Sequence, residues 1–168
     1  MTISMYQASV PAFLQMLHSL SAILDKAEAF AAERKIEPAV LLGWRLAPDM
    51  FPLARQVRIA TDLAKGCCAR LAGVEVPQYA DDETSFADLR ARIARTIDFV
   101  QGFEPDDIDG SEERDITITA GTRELRFEGQ QYLVHFVLPN FYFHVATAYD
   151  ILRQCGLPIG KRDFLGLT

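Results

Sequence analysis

In the stretch PNFYFHVATAYDILRQCG, residues 139–156, His144 and Asn140 stand four residues apart, one helical turn, on a face that also carries Phe141, Ala148, Ile151 and Cys155. An imidazole there can pass a proton, accept a hydrogen bond or ligate a divalent ion, and Asn140 is close enough to share a ligand or water with it. Helical-bundle cores are a usual place for such groups to converge. Two positions do not complete a catalytic zinc site, which takes three protein ligands and leaves one position open. A solitary histidine on an apolar face more often serves as a hydrogen-bonded core residue. Asn140 follows Pro139 and also suits the N-cap of a helix spanning about 140–154. Asp49 stands in the same relation to a helix spanning about 50–71, where its carboxylate could accept from the amide of Phe51. His18 falls at the edge of an apolar stripe, and His135 is free to face either way.

Four amphipathic helices are expected to position these groups. Leu14, Leu17, Leu20, Leu24, Ala27 and Ala31 recur at three- and four-residue steps, a long first helix ending near Lys35. Ser9 and Pro11 mark its first turn, or Pro11 sits inside a helix that starts earlier. The segment IEPAVLLGWRLAPDMFP is punctuated by prolines and reads as a structured connection. Leu53, Val57, Ala60, Ala64, Cys67 and Leu71 form the inward set of the second helix, which Gly73 stops. Ser85 and Asp88 have capping-box spacing at the start of the third, whose buried face runs Leu89, Ile93, Ile97, Val100. ITITAGTRELRF alternates and turns at Gly121, a short β-hairpin before the last helix. Helices of this length with one inserted hairpin fit a four-helix bundle.

Composition narrows function by exclusion. A net charge of −6 over 168 residues argues against nucleic acid and anionic membrane surfaces as partners. Gly129 to Tyr149 carries no formal charge, but Gln130, Gln131, His135, Pro139, Asn140 and His144 make it a buried helix rather than a membrane span. Cys67, Cys68 and Cys155 read as free thiols of a reducing cytoplasm, and the N-terminus lacks the basic-then-apolar order of a signal peptide. Residues 104–115 hold seven acids and one arginine, but with Gly110 at the obligatory glycine of a calcium loop, Pro105 and Ile116 fall at ligand positions, so this is a solvated acidic loop. Its charge leaves open a basic protein partner. Cys67, on an inward stripe, reads as inert. GKRDF lacks the glycine-rich loop and strand of a phosphate site and reads as a tail docking through Phe164 and Leu165, able to close over the end of a cavity. Trp44, Phe51, Tyr142 and Tyr149 could line a pocket or simply fill the core.

The stretch PNFYFHVATAYDILRQCGLPIGKRDFLG closely resembles the C-terminal signature of a bacterial family of unknown function grouped with the DinB/YfiT-like proteins, and SMYQASVPAFLQMLHSLSAILDKAEAFA resembles that family's first helix. The resemblance spans nearly the whole chain and implies one DinB/YfiT-like domain over 1–168, all-α, a four-helix bundle with a short β-hairpin before the last helix. It also implies a homodimer. Many such proteins hold nickel or zinc with three histidines, one at the start of helix two and two from an H-x-x-x-H in helix four, and some use the metal to activate a small thiol. Aligning ILRQCG with the family's LR-x-x-G places His144 at the second helix-four histidine and Asn140 at the first, with Asp49 near the helix-two position. Two of the three imidazoles are therefore replaced by oxygen donors, which favour harder cations held weakly. The expected protein is a cytoplasmic small-molecule binder with a degenerate metal site and no tightly held cofactor. The alternative is a divalent-metal-dependent enzyme, a thiol transferase, isomerase or hydrolase, using Asp49, Asn140 and His144.

Overall fold

The computed structural model describes residues 3–167, with Ala120 by its backbone alone. Four long helices, α1 (Met5–Arg34), α3 (Leu53–Ala72), α4 (Phe86–Val100) and α7 (Leu138–Gln154), pack with α3 chiefly against α7 and α4, and α1 against α4. Short helices α2 (Pro38–Leu42) and α5 (Pro105–Ile108) lie in the connections. Strands β1 (Asp115–Ala120) and β2 (Arg123–Glu128) form an antiparallel hairpin in which Ile116 faces Phe127 and Ile118 faces Leu125. The helical bundle with a hairpin before its last long helix is the architecture read from the sequence.

Local chemistry sets the element boundaries. α1 starts before Pro11 because Ser4 and Gln7 form a capping box: Ser4 Oγ accepts from Gln7 N at 3.2 Å, and Gln7 Oε1 accepts from Ser4 N at 3.3 Å. Pro11 then lies inside the helix on an exposed face. The Ser85–Asp88 box opens α4 as expected. The acidic 104–115 segment is more than a solvated loop. Ile108 is fully buried, and Asp109 Oδ1 accepts from Tyr6 N at 2.7 Å, placing a carboxylate on the N-terminal turn of α1.

The last helix departs most from expectation. It begins at Gly129, not Asn140, and runs as α6 (Gly129–Gln131), a π-helical segment Tyr132–Val137, and α7 without a break. In the wide π turn the Leu138 amide reaches back five residues to Leu133 O. Pro139, which has no N–H, follows directly, so the ladder is already loosened where the proline would break it. Asn140 is thus a helix-interior residue rather than an N-cap, and its Nδ2 donates to Phe136 O at 2.7 Å. At the other end of this helix unit, a Cβ on Gly129 would stand 1.9 Å from the Ser111 carbonyl oxygen, so only glycine lets the hairpin re-enter the bundle here.

The tail α8 (Lys161–Phe164) docks on α1. Ser19 Oγ donates to Asp163 O at 2.6 Å, Gln15 Nε2 donates to Leu165 O at 3.0 Å, Lys26 pairs with Asp163, and Phe164 meets Tyr149 edge-on. No described helix is long and apolar enough to cross a membrane.

Candidate functional site

The first turn of α3 holds His144 from across the bundle. Pro52, not Asp49, precedes that helix as its cap, because the chain stays extended at Pro52 and turns helical only at Leu53. The turn brings Gln56, at the inward spacing of Leu53 and Ala60, under the end of α7. Gln56 Nε2 donates to Phe51 O at 2.9 Å, which fixes the amide so that Oε1 faces His144 Nδ1 at 2.6 Å. A carbonyl oxygen only accepts, so Nδ1 carries the proton and the Nε2 lone pair is left free. Burial holds the imidazole below its usual pKa, so the ring is neutral at pH 7. Nε2 has no hydrogen-bond partner among the described residues.

That lone pair belongs to a pocket of about 180 Å³ lined by Asp49, Met50, Phe51, Gln56, Phe143 and His144. Phe51 and Phe143, 40% and 53% exposed, form an apolar mouth, and the Arg55 guanidinium stacks 3.7 Å from the Phe51 ring centre. In the core, Phe13 of α1 packs edge-on against Phe141 of α7 at 4.9 Å.

Of the sequence-derived residues, His144 and Asp49 therefore share one pocket. Asp49 is exposed at its edge and makes no side-chain hydrogen bond among the described residues. Asn140, one turn back, is half-buried, commits its amide nitrogen to Phe136 O and is not part of the lining. His18 and His135 are exposed. Cys67 and Cys68 are buried thiols whose pKa values burial pushes up, to about 12 for Cys68, which leaves them protonated and unreactive. No tail residue lines the His144 pocket. Trp44 and Tyr142 are exposed, and Tyr149 packs with Phe164.

Gln56 escaped the sequence reading, although its position was a signal: a polar residue three after Leu53 and four before Ala60, on a stripe otherwise apolar. As a metal centre the pocket is short of donors. His144 and Asp49 line it, Gln56 Oε1 is already used, and among the described residues no three His, Cys, Asp or Glu side chains come together as a metal-ion site. Two donors do not fit the three-ligand arrangement of a catalytic metal.

One histidine thus lines a pocket between the second and last long helices of the bundle. The chain is similar to a crystal structure of a DinB family member protein from Shewanella denitrificans, with 42% identity, a TM-score of 0.86, and coverage of 97% of this chain and 92% of that one. It belongs to the family described as "Domain of unknown function (DUF1993)", which matches residues 5–165. No curated protein matches it.

Proposed function

We propose that the protein binds a small, mainly apolar molecule carrying one hydrogen-bond donor, with His144 Nε2 as the acceptor at the bottom of the pocket. The observation that carries this reading is the half-used imidazole: Gln56 takes Nδ1–H, and Nε2 is left in a space walled by Phe51, Phe143 and Met50. A neutral acceptor among aromatic rings favours a neutral donor such as a phenolic or alcoholic O–H. The volume of about 180 Å³ is below the range of drug-sized pockets, so the ligand is of single-ring size.

Phenol and anisole, which share a ring and differ in the donor, test this by calorimetric titration. Phenol is expected to bind about tenfold more tightly than anisole, and His144→Phe to erase the difference. Equal binding of the two probes, or a preference that survives in His144→Phe, overturns the reading. The second reading, a divalent-metal-dependent enzyme using Asp49, Asn140 and His144, draws support from Asp49 and His144 sharing one pocket, with Asn140 outside its lining. Elemental analysis after dialysis against zinc, nickel and manganese decides it: about one equivalent bound, lost in His144→Ala, replaces the first reading with this one.

A further inference from the structure

A second cluster of unused donors lies on the opposite end of α3, under the hairpin. Tyr132, 2% exposed, accepts a hydrogen bond from Arg70 Nη1 at 3.0 Å, while its own hydroxyl proton meets no acceptor among the described residues. Burial pushes the phenol to about 12, so at neutral pH it remains an O–H donor. Arg70 has no carboxylate at ion-pair distance among the described residues, whereas Arg92 on the neighbouring helix has three. Both groups line a cavity of about 240 Å³ whose remaining wall includes Ile59, Ile118 and Phe136. Asp62 also borders it, but Lys65 and Arg92 each contact its Oδ1 at 2.8 Å and offset its charge.

Gly66 is the telling residue. It sits in the interior of α3, where glycine costs about 1 kcal/mol relative to alanine. A Cβ there would come within 2.5 Å of Arg70 Nη1, so the missing side chain is the space the guanidinium occupies across the helix. From that space the guanidinium donates to Tyr132 Oη at 3.0 Å.

We infer that this cavity is a binding site for a small monocarboxylate, its oxygens held by the Arg70 guanidinium and the Tyr132 hydroxyl and its apolar body lying against Ile59, Ile118 and Phe136. One unpaired cation plus one neutral donor matches a single negative charge. The site is separate from the His144 pocket, with which it shares no lining residue.

Benzoate and its neutral analogue benzamide are the probes, titrated at constant ionic strength and followed by the backbone amide resonances of residues 59–70 and 116–136. Benzoate is expected to saturate with a dissociation constant on the order of 1–10 mM and to bind about tenfold more tightly than benzamide. Arg70→Met should remove that preference. Gly66→Ala, which leaves both donors in the chain but displaces the guanidinium, should weaken benzoate about tenfold while thermal stability holds or rises. That combination is one a purely structural role for Arg70 does not produce. His144→Phe, the variant that removes phenol binding, should leave benzoate untouched, so the two pockets stand or fall separately. Equal binding of benzoate and benzamide, no saturable shift with benzoate, or full benzoate affinity in both Arg70→Met and Gly66→Ala overturns the inference.

Discussion

Arg92 and His144 are both polar side chains placed on apolar stripes of the bundle, and they are treated in opposite ways. Every nitrogen of the Arg92 guanidinium donates: Nε to Thr61 Oγ1 at 2.8 Å, Nη2 to Asp62 at 2.8 Å, and Nη1 to Glu83, Asp81 and the Ala80 carbonyl at 2.8, 3.1 and 2.9 Å. The result ties the 80–83 loop to α3 and α4, with Arg58 adding a second hold on Glu83. Only one N–H, on Nη2, is left over. His144 has one partner, Gln56, and one ring nitrogen to spare. A polar group with nearly all of its valences used in the fold reads as structure, and one held firmly by half of them reads as an arranged binding group.

The difference is measurable as stability. Arg92→Met leaves Glu83, whose side chain is 8% exposed, with only Arg58, while Asp62 and Asp81 can turn to water. The expected loss is about 3 kcal/mol, at the lower end for a broken buried pair, read from urea unfolding. Gly129→Ala should cost about 2 kcal/mol, because the Cβ meets the Ser111 backbone rather than a side chain that can swing away. Gln56→Leu strands the His144 Nδ1–H and should cost about 1–2 kcal/mol, together with the loss of phenol binding. His144→Phe strands Gln56 Oε1 in the same way and should cost about 1–2 kcal/mol while abolishing that binding. A loss for His144→Phe as large as that for Arg92→Met would erase the contrast.

Acid sharpens it further. Burial alone would raise the Glu83 carboxyl, but hydrogen bonds from Arg92 and Arg58 and the Arg92 charge outweigh it and hold the group below its usual 4.5. A carboxylate depressed in the folded state adds stability that is present above 4.5 and lost as pH falls through the lower folded value, so Glu83→Gln should flatten the acid limb of the stability curve. His144 is also depressed, through burial, from 6.5. Its small contribution is therefore present above 6.5 and fades as pH falls through the folded value, and phenol binding should fade in the same window as Nε2 takes up a proton.

The bundle was legible because its stripes are long and periodic: the inward set of α3 from Leu53 to Leu71 and that of α4 from Leu89 to Val100 are buried as the spacing requires. Boundaries were less so. Asn140 after Pro139 has the sequence of a cap, and the π turn through which the helix reaches the proline has no local signature. His144 was found because an imidazole is conspicuous among Phe, Val and Ala. Its partner Gln56 was not, since the pairing spans 88 residues and no periodicity within one helix reports it. Arg92 and Arg70 were hidden for the same reason: each lies on a helix of ordinary pattern, and what it touches is decided by a loop or a second helix.

The π-helical segment Tyr132–Val137 works as a phase shift. Deleting one residue there, enough to restore an ordinary α turn, would rotate everything before it by about 100° around the shared axis while His144 kept its place. Tyr132 would swing off Arg70, and the hairpin leading into the helix would swing with it. The angular offset between the histidine pocket and the arginine–tyrosine cradle is therefore encoded as a residue count, so a homologue one residue shorter in this turn would keep the first pocket and dismantle the second.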